Sequence, residues 1–270
     1  MGRSYIGLSG AQVIFSAGLR IKLRQFGTGL PGRGSNICCW VQQLLSPFSY
    51  FPDCESAKAV ARFFDPQGRG ERLHAPATAR NRKAIFDVLQ SAQPPAGTLF
   101  EVASGTGEHA AFMAPKLTGH LWQPSDIENH HLASINAWRR EVLADNILPA
   151  RVFNIRERDF DEFILPARLS AVLAFNLIHI SPWQVAEALI TKAGAALPKG
   201  GLLYLYGPYK QGGEHTAVSN AEFDASLKSR DTSWGVRDME AVIELAVKAG
   251  LNAPEITAMP ANNFSLVFRK

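Results

Sequence analysis

The feature that most constrains this chain is the stretch Thr98-Leu-Phe-Glu-Val-Ala-Ser-Gly-Thr-Gly-Glu-His-Ala110. It reads as a short apolar strand, a Ser-Gly-Thr-Gly turn and the start of a helix. Such a turn brings backbone N–H groups up to a ligand with no side chain in the way. The helix behind it presents free N–H groups and a positive dipole end. Nineteen residues beyond Gly107, the segment Leu121-Trp-Gln-Pro-Ser-Asp-Ile-Glu128 predicts a second strand ending at Asp126. An acid at that separation accepts hydrogen bonds from two ribose hydroxyls. Turn and acid together predict a pocket for an adenosine-containing cofactor. The competing reading is a glycine-rich turn with no ligand.

The glycine spacing does not choose the cofactor. Gly105-x-Gly107-x-x-Ala110 also fits the fingerprint of a nicotinamide dinucleotide, so an oxidoreductase stands as an alternative. Two features favour S-adenosylmethionine. Glu101 lies in the strand just before the turn, where methyltransferases commonly carry an acid. There is also no second full βαβαβ half, and the chain closes in two strands, 254–259 and 265–269.

Between these points strands alternate with helices. Ile85, Phe86, Val88 and Leu89 give a helix its apolar face, and Pro94-Pro-Ala-Gly97 ends it. Pro115 limits the helix after the glycines. Leu132, Ile135, Trp138 and Val142 mark the next helix, and a third strand is expected over 151–155. The apolar run 170–176 suits a buried parallel strand. A helix opened by Pro182 and a strand over 202–206 follow. This order predicts an α/β fold, a mostly parallel sheet with helices on both faces. Ligands in such sheets sit outside the carboxyl ends of the strands, where Gly105, Asp126, Asn154, Asn176 and Gly207 all fall. The polar stretch 207–237 is too long for a simple connection and is expected to form a lid, with Ser219 and Glu222 as a capping box.

Charge and cysteine narrow the classes. The net charge of +4 is unevenly spread. Residues 1–52 hold five of the 28 basic side chains (Arg3, Arg20, Lys22, Arg24 and Arg33) and no acid, so the rest of the chain is one negative charge from neutral against its 24 acids. The basic balance therefore does not argue for nucleic acid. The three cysteines, Cys38, Cys39 and Cys54, all lie early and form no framework. That composition suits a reducing, cytoplasmic compartment. No apolar run reaches the ~18 residues of a membrane span, so no membrane partner is expected. The Arg-containing, acid-free start resembles an organelle transit peptide; the alternative is an extension without function. The chain divides into this extension, 1–70, disordered or a targeting segment, and a domain over 71–270.

The segments Ala75-Pro-Ala-Thr-Ala-Arg-Asn-Arg82, Glu101–Gly107, Trp122–Asp126, Asn176-Leu-Ile-His-Ile-Ser-Pro-Trp183, Tyr206-Gly-Pro-Tyr209 and Met259-Pro-Ala-Asn-Asn263, taken in order, resemble a family of uncharacterised class I methyltransferase-like proteins that includes methyltransferase-like protein twenty-six. The resemblance spans roughly residues 72–270. It implies a Rossmann-like, seven-stranded class I methyltransferase fold with an antiparallel last strand. It also implies S-adenosylmethionine as cofactor, and it names no acceptor. The family pattern would end the third strand in an acid near adenine; this chain has Asn154 there.

Roles follow from position. Ser104, Gly105, Thr106 and Gly107 face the methionine part, Glu101 orients the loop, Asp126 holds the ribose, Asn154 approaches adenine and Asn176 lines the floor. Methyl transfer from a sulfonium needs placement and exclusion of water, with a base only for a protonated acceptor. His179 is the first candidate for that base or for a hydrogen-bond donor to the acceptor, with Tyr209, His215 and Asn220 as lid candidates; His109, in the first helical turn after the glycines, either touches the cofactor carboxylate or faces solvent. The expected acceptor is a small molecule or a protein side chain. Nucleic-acid amino-methyltransferases carry Asp/Asn-Pro-Pro-Tyr/Phe after the fourth strand, where this chain has Asn176-Leu-Ile-His179. His130-His131 has no supporting ligands, so no metal is expected. A binding module that kept the fold without turnover is the third possibility.

Overall fold

The structure, a computed structural model, describes residues 71–270 and three short strands near the start of the chain. These are β1 (Gly7–Leu8), β2 (Ala11–Ile14) and β3 (Lys22–Gln25), which pair antiparallel in that order within a separate unit, Met1–Phe51. Apart from these strands, residues 1–70 lie outside the described residues, and with them the expectation of a disordered extension or a targeting segment.

The second unit is built on one twisted sheet. Its strands are β4 (Gly97–Glu101), β5 (His120–Asp126), β6 (Arg151–Val152), β7 (Leu169–Phe175), β8 (Leu202–Gln211), β9 (Glu214–His215), β10 (Arg237–Asp238), β11 (Glu255–Met259) and β12 (Asn263–Arg269). The main path runs β6-β5-β4-β7-β8-β12-β11. The first five of these strands are parallel, and β12 enters antiparallel beside β8. The helices are α1 (Pro76–Ala92), α2 (Glu108–Met113), α3 (Asn129–Val142), α4 (Trp183–Ala196), α5 (Val218–Arg230) and α6 (Met239–Lys248).

Side chains alternate across a strand, and the two cores follow that rule. Phe100, Val172, Leu203 and Leu205 pack toward α4 and α6. Leu99, Leu173, Leu202 and Tyr204 pack toward α1 and α2. Each fully buried Leu, Val or Phe contributes about 1.5–3 kcal/mol, so shifting a strand by one residue would cost several such terms together. The register that places the strand ends is thereby held.

Two expectations are corrected here. β8 does not stop at Tyr206; it runs on through Gly207, Pro208 and Tyr209 to Gln211. Asn263 of β12 lies opposite Pro208, and Tyr209 lies beside Arg237 of β10. Gly212 and Gly213, at φ 58° and 81°, then turn the chain into β9, as a two-residue hairpin with two positive φ values requires. So only the later part of 207–237 is free to cover the strand ends. It does so as α5, whose N-cap is Ala217 with no side-chain hydrogen bond. Ser219 and Glu222 form no capping box; the Ser219 hydroxyl accepts from Asn262 Nδ2 at 3.2 Å.

Pro115 does end α2 as expected, converting it to a 3-10 turn over Ala114–Lys116. The charged stretch after β6 is pinned by its phenylalanines. Phe153, Phe160 and Phe163 pack edge-on or tilted against Phe100 with ring centroids 5.1–5.6 Å apart.

Candidate functional site

The site begins where β4 ends. Glu101 is the last strand residue, and Val102 N–H still donates to Leu173 O. The chain then turns through Ala103 at φ 55° and Gly105 at φ 57°. Ser104 ties the turn to β5 in both directions: its N–H donates to Ser125 O at 2.8 Å, and its Oγ accepts from Ser125 N–H at 3.2 Å. The two glycines have different reasons. At Gly105 nothing lies within 4 Å of where a Cβ would stand. At Gly107 (φ 88°) that Cβ would meet Ile135 Cα at 2.7 Å. Gly105 keeps the loop bare toward open space, and Gly107 lets α3 approach the loop.

Asp126 organises this turn. Its Oδ2 accepts from Gly105 N–H at 2.9 Å, and its Oδ1 accepts from Glu128 N–H at 3.0 Å and lies 3.1 Å from His131 Nδ1. Burial raises its pKa, but His131 and the two N–H groups outweigh that and hold the carboxyl below its ordinary range. Glu101 goes the other way. It is 1% exposed, and burial pushes its pKa up to about 7 despite a 3.0 Å hydrogen bond from Trp122 Nε1–H to its Oε2. Two acids 25 residues apart thus differ in charge near neutral pH because one meets donors and the other meets mostly the core.

Above the loop lies a cleft of about 540 Å³, in the range of small-molecule sites. Glu101, Ser104, Gly105, Thr106 and Asn176 line it. The α1 helix supplies Thr78, Arg80 and Asn81, and α2 supplies His109. The floor includes Phe175 and Tyr206, and the far side is closed by Ser219, Asn220 and Phe223 of α5 with Pro260, Ala261 and Asn263. Asn220 Nδ2 holds that closure together by donating to Asn262 O at 2.9 Å. Three non-glycine residues at the rim, Ala103, Asn176 and Ala261, sit at φ 55°, 61° and 58°. Left-handed backbone costs such residues about 1–2 kcal/mol each, and strain of this kind collects at ligand sites.

A family model described as "Protein of unknown function (DUF938)" matches residues 72–270. The chain belongs to the DUF938 family. Solved structures share its fold at low identity. An O-methyltransferase family 2 protein from Planctomyces limnophilus, solved in complex with apigenin, is 20% identical with a TM-score of 0.61, covering 72% of this chain and 60% of that one. An O-methyltransferase family protein from Burkholderia thailandensis is 14% identical (TM-score 0.60; 72% and 56%). Human N-acetylserotonin methyltransferase in complex with SAM is 11% identical (TM-score 0.60; 72% and 52%). The chain spans between half and three-fifths of the length of these proteins. The DUF938 domain therefore has the Rossmann-like class I methyltransferase fold. Among its described residues no helix is long and apolar enough to cross a membrane.

The structure divides the residues expected to act. Glu101, Ser104, Gly105, Thr106 and Asn176 meet at the cleft; Gly107 and Asp126 stand behind them. Asn154 does not line the cleft. Its Oδ1 accepts from Arg156 N–H at 3.1 Å, closing its own turn. His179 and Tyr209, expected to face an acceptor, are both 0% exposed and absent from the cleft wall. The rings meet edge to face at 4.9 Å, and His179 Nδ1 accepts from Arg237 N–H. The correction follows from the longer β8, which carries Tyr209 into the core. His215 is also away from the cleft, 3.3 Å from Asp224 Oδ2 in a cluster with Lys210 and Lys228. In place of these three the cleft has Asn81, His131 and Tyr206, with His109, one of whose two expected positions is beside the cofactor. Strand parity carried the signal: Glu101, Phe175 and Tyr206 share the face of Leu99, whereas Tyr209 has the opposite parity.

Proposed function

We propose that this DUF938 domain binds S-adenosylmethionine in the cleft and transfers its methyl group to an acceptor, within the methyltransferase-like family that includes methyltransferase-like protein twenty-six. One observation carries the reading: the bare Gly105 turn, locked by Asp126 of the neighbouring strand, borders a cleft with the buried Glu101 at its base. The residues fit the cofactor. Asp126 Oδ2 accepts from Gly105 N–H and so fixes the turn from behind, and His131 beside it, on the cleft wall, would meet a ribose hydroxyl. Ser104, Gly105 and Thr106 would hold the methionine part, and Glu101 an N–H or O–H donor. When bound, the cofactor supplies an activated methyl group. The chain supplies placement and dryness, through the α1 wall, the floor at Asn176 and Tyr206, and the α5 cover. The O-methyltransferases among the structural neighbours favour an oxygen acceptor.

The test is thermal unfolding of the full-length protein with S-adenosylhomocysteine, S-adenosylmethionine or NAD. A ligand at about 100 times its Kd stabilises by about 2.7 kcal/mol. A rise in Tm with the first two, lost in Asp126→Ala, supports the reading. A rise with NAD alone sinks it in favour of an oxidoreductase. Binding without turnover on any extract fraction would leave a binding module.

A further inference from the structure

Three buried polar side chains on the cleft wall are joined into one unit. Asn81 and His109 are each 8% exposed and Tyr206 is 3% exposed. Asn81 Oδ1 lies 3.0 Å from His109 Nε2, and the same amide acts on the Tyr206 hydroxyl, drawing its pKa down against the effect of burial. A carbonyl oxygen only accepts, so Nε2 carries the ring proton and Nδ1 the lone pair. The sense of that effect is of the amide's N–H end turned toward the Tyr206 oxygen, which leaves the tyrosine proton to be donated elsewhere. Burial, helped by Arg82, lowers the His109 pKa to about 3 and keeps the ring neutral. The wall thus offers one uncharged acceptor and one uncharged donor, an amide apart. Aromatic surface adjoins it: Phe175 packs on the His109 ring at 4.8 Å, and Phe223 lines the same cleft.

We propose that this wall is a binding site for the hydroxyl of a neutral phenol, whose O–H donates to His109 Nδ1 and whose oxygen accepts from the Tyr206 hydroxyl; that such a phenol is the methyl acceptor rests on the cofactor reading above. The chemistry disfavours the other classes. An ammonium meets the Arg80 guanidinium acting on Tyr206 beside the triad; the cleft's carboxylates, Glu101 and Glu222, are not bonded to these three side chains. A carboxylate meets the imidazole lone pair. An ether of the same shape leaves a buried acceptor unmatched, which is costly.

The full-length protein, saturated with S-adenosylhomocysteine, is titrated with phenol, anisole and benzylamine while nitrogen NMR follows the His109 imidazole. Phenol is expected to shift Nδ1 saturably and to bind about tenfold more tightly than anisole or benzylamine. His109→Phe and Tyr206→Phe, which each keep an aromatic ring, are expected to abolish that preference. Their stabilisation by S-adenosylhomocysteine shows that they fold. Equal binding of phenol and anisole, tighter binding of benzylamine, no saturable shift at Nδ1, or an intact preference in both variants overturns the hydroxyl site. Stabilisation by S-adenosylhomocysteine in that case leaves the cofactor reading standing. Absence of that stabilisation overturns the cofactor reading and the acceptor role together.

Discussion

Gly105 and Gly107 are two residues apart in one turn, yet alanine at each should fail in a different way. Both have positive φ, 57° and 88°, so each alanine carries a left-handed cost of about 1 kcal/mol. At Gly105 that is all, because nothing lies within 4 Å of the new Cβ. At Gly107 the new Cβ would stand 2.7 Å from Ile135 Cα and 3.1 Å from its Cγ1. The Cα cannot rotate away, so α3 must back off the loop, at about 1–3 kcal/mol for overpacking. The Gly107→Ala total is about 2–4 kcal/mol. For a domain of this size each kcal/mol shifts Tm by about 2–4 °C. Thermal melts followed by circular dichroism should therefore show Gly105→Ala a few degrees below the wild type and Gly107→Ala lower still by a similar step or more. The ligand response should invert the order. Gly105→Ala places a methyl group on the face that lines the cleft, so S-adenosylhomocysteine should stabilise it far less than the wild type. A Gly107→Ala protein that melts as high as Gly105→Ala would refute the packing argument, and full ligand stabilisation of Gly105→Ala would refute the exposed-turn argument.

Other substitutions probe the rest of the site. Asp126→Ala strands Gly105 N–H and Glu128 N–H and should cost about 1–3 kcal/mol in a urea titration, besides weakening ligand binding. Glu101→Gln should raise stability measured at pH 8, since it removes a buried charge whose pKa stands near 7, while lowering affinity for S-adenosylhomocysteine by calorimetry; a loss of stability at pH 8 would contradict this. Gly207→Ala drives a methyl group onto His179 Nε2 and Cδ2 and should cost about 1–3 kcal/mol; a double-mutant cycle with His179→Ala should recover most of it, and simple additivity would count against the contact. His109 and His179 each have a folded pKa lowered to about 3, from 6.5, mainly by burial. Their contribution is therefore complete above pH 6.5 and disappears as pH falls toward 3, at up to about 1.4 kcal/mol per pH unit each. Glu101 runs oppositely, stabilising below pH 4.5 and losing that as pH rises through about 7. Urea midpoints between pH 7 and 3 should fall most steeply below pH 4.5, and His109→Phe should flatten the slope.

Much of this was legible in the chain itself because the patterns are local. The apolar run 170–176 and the Gly-Thr-Gly turn announce a parallel strand and a bare loop, and β7 and the Gly105 turn stand where those patterns put them. The capping pair Ser219 and Glu222 misled because the pattern occurs inside a helix that already starts at Val218. Gly207-Pro208 looked like the end of a strand, since proline removes a donor. The pairing of β8 with β12 and β10 carries the strand through that point. That single extension moved Tyr209 from an expected lid into the core and left His179 wedged under Gly207.

What the residues determined by themselves is the order of strands and helices, the conformation of the turn after Glu101 and the acid that meets it, because each depends on neighbours a few residues away or on one well-spaced partner. What only the tertiary structure decided is which polar side chains reach the cleft. Asn81, His109 and Tyr206 come from a helix before the turn, a helix after it and a strand about a hundred residues on. Their meeting depends on sheet order and strand parity, which are set by burying two apolar faces at once.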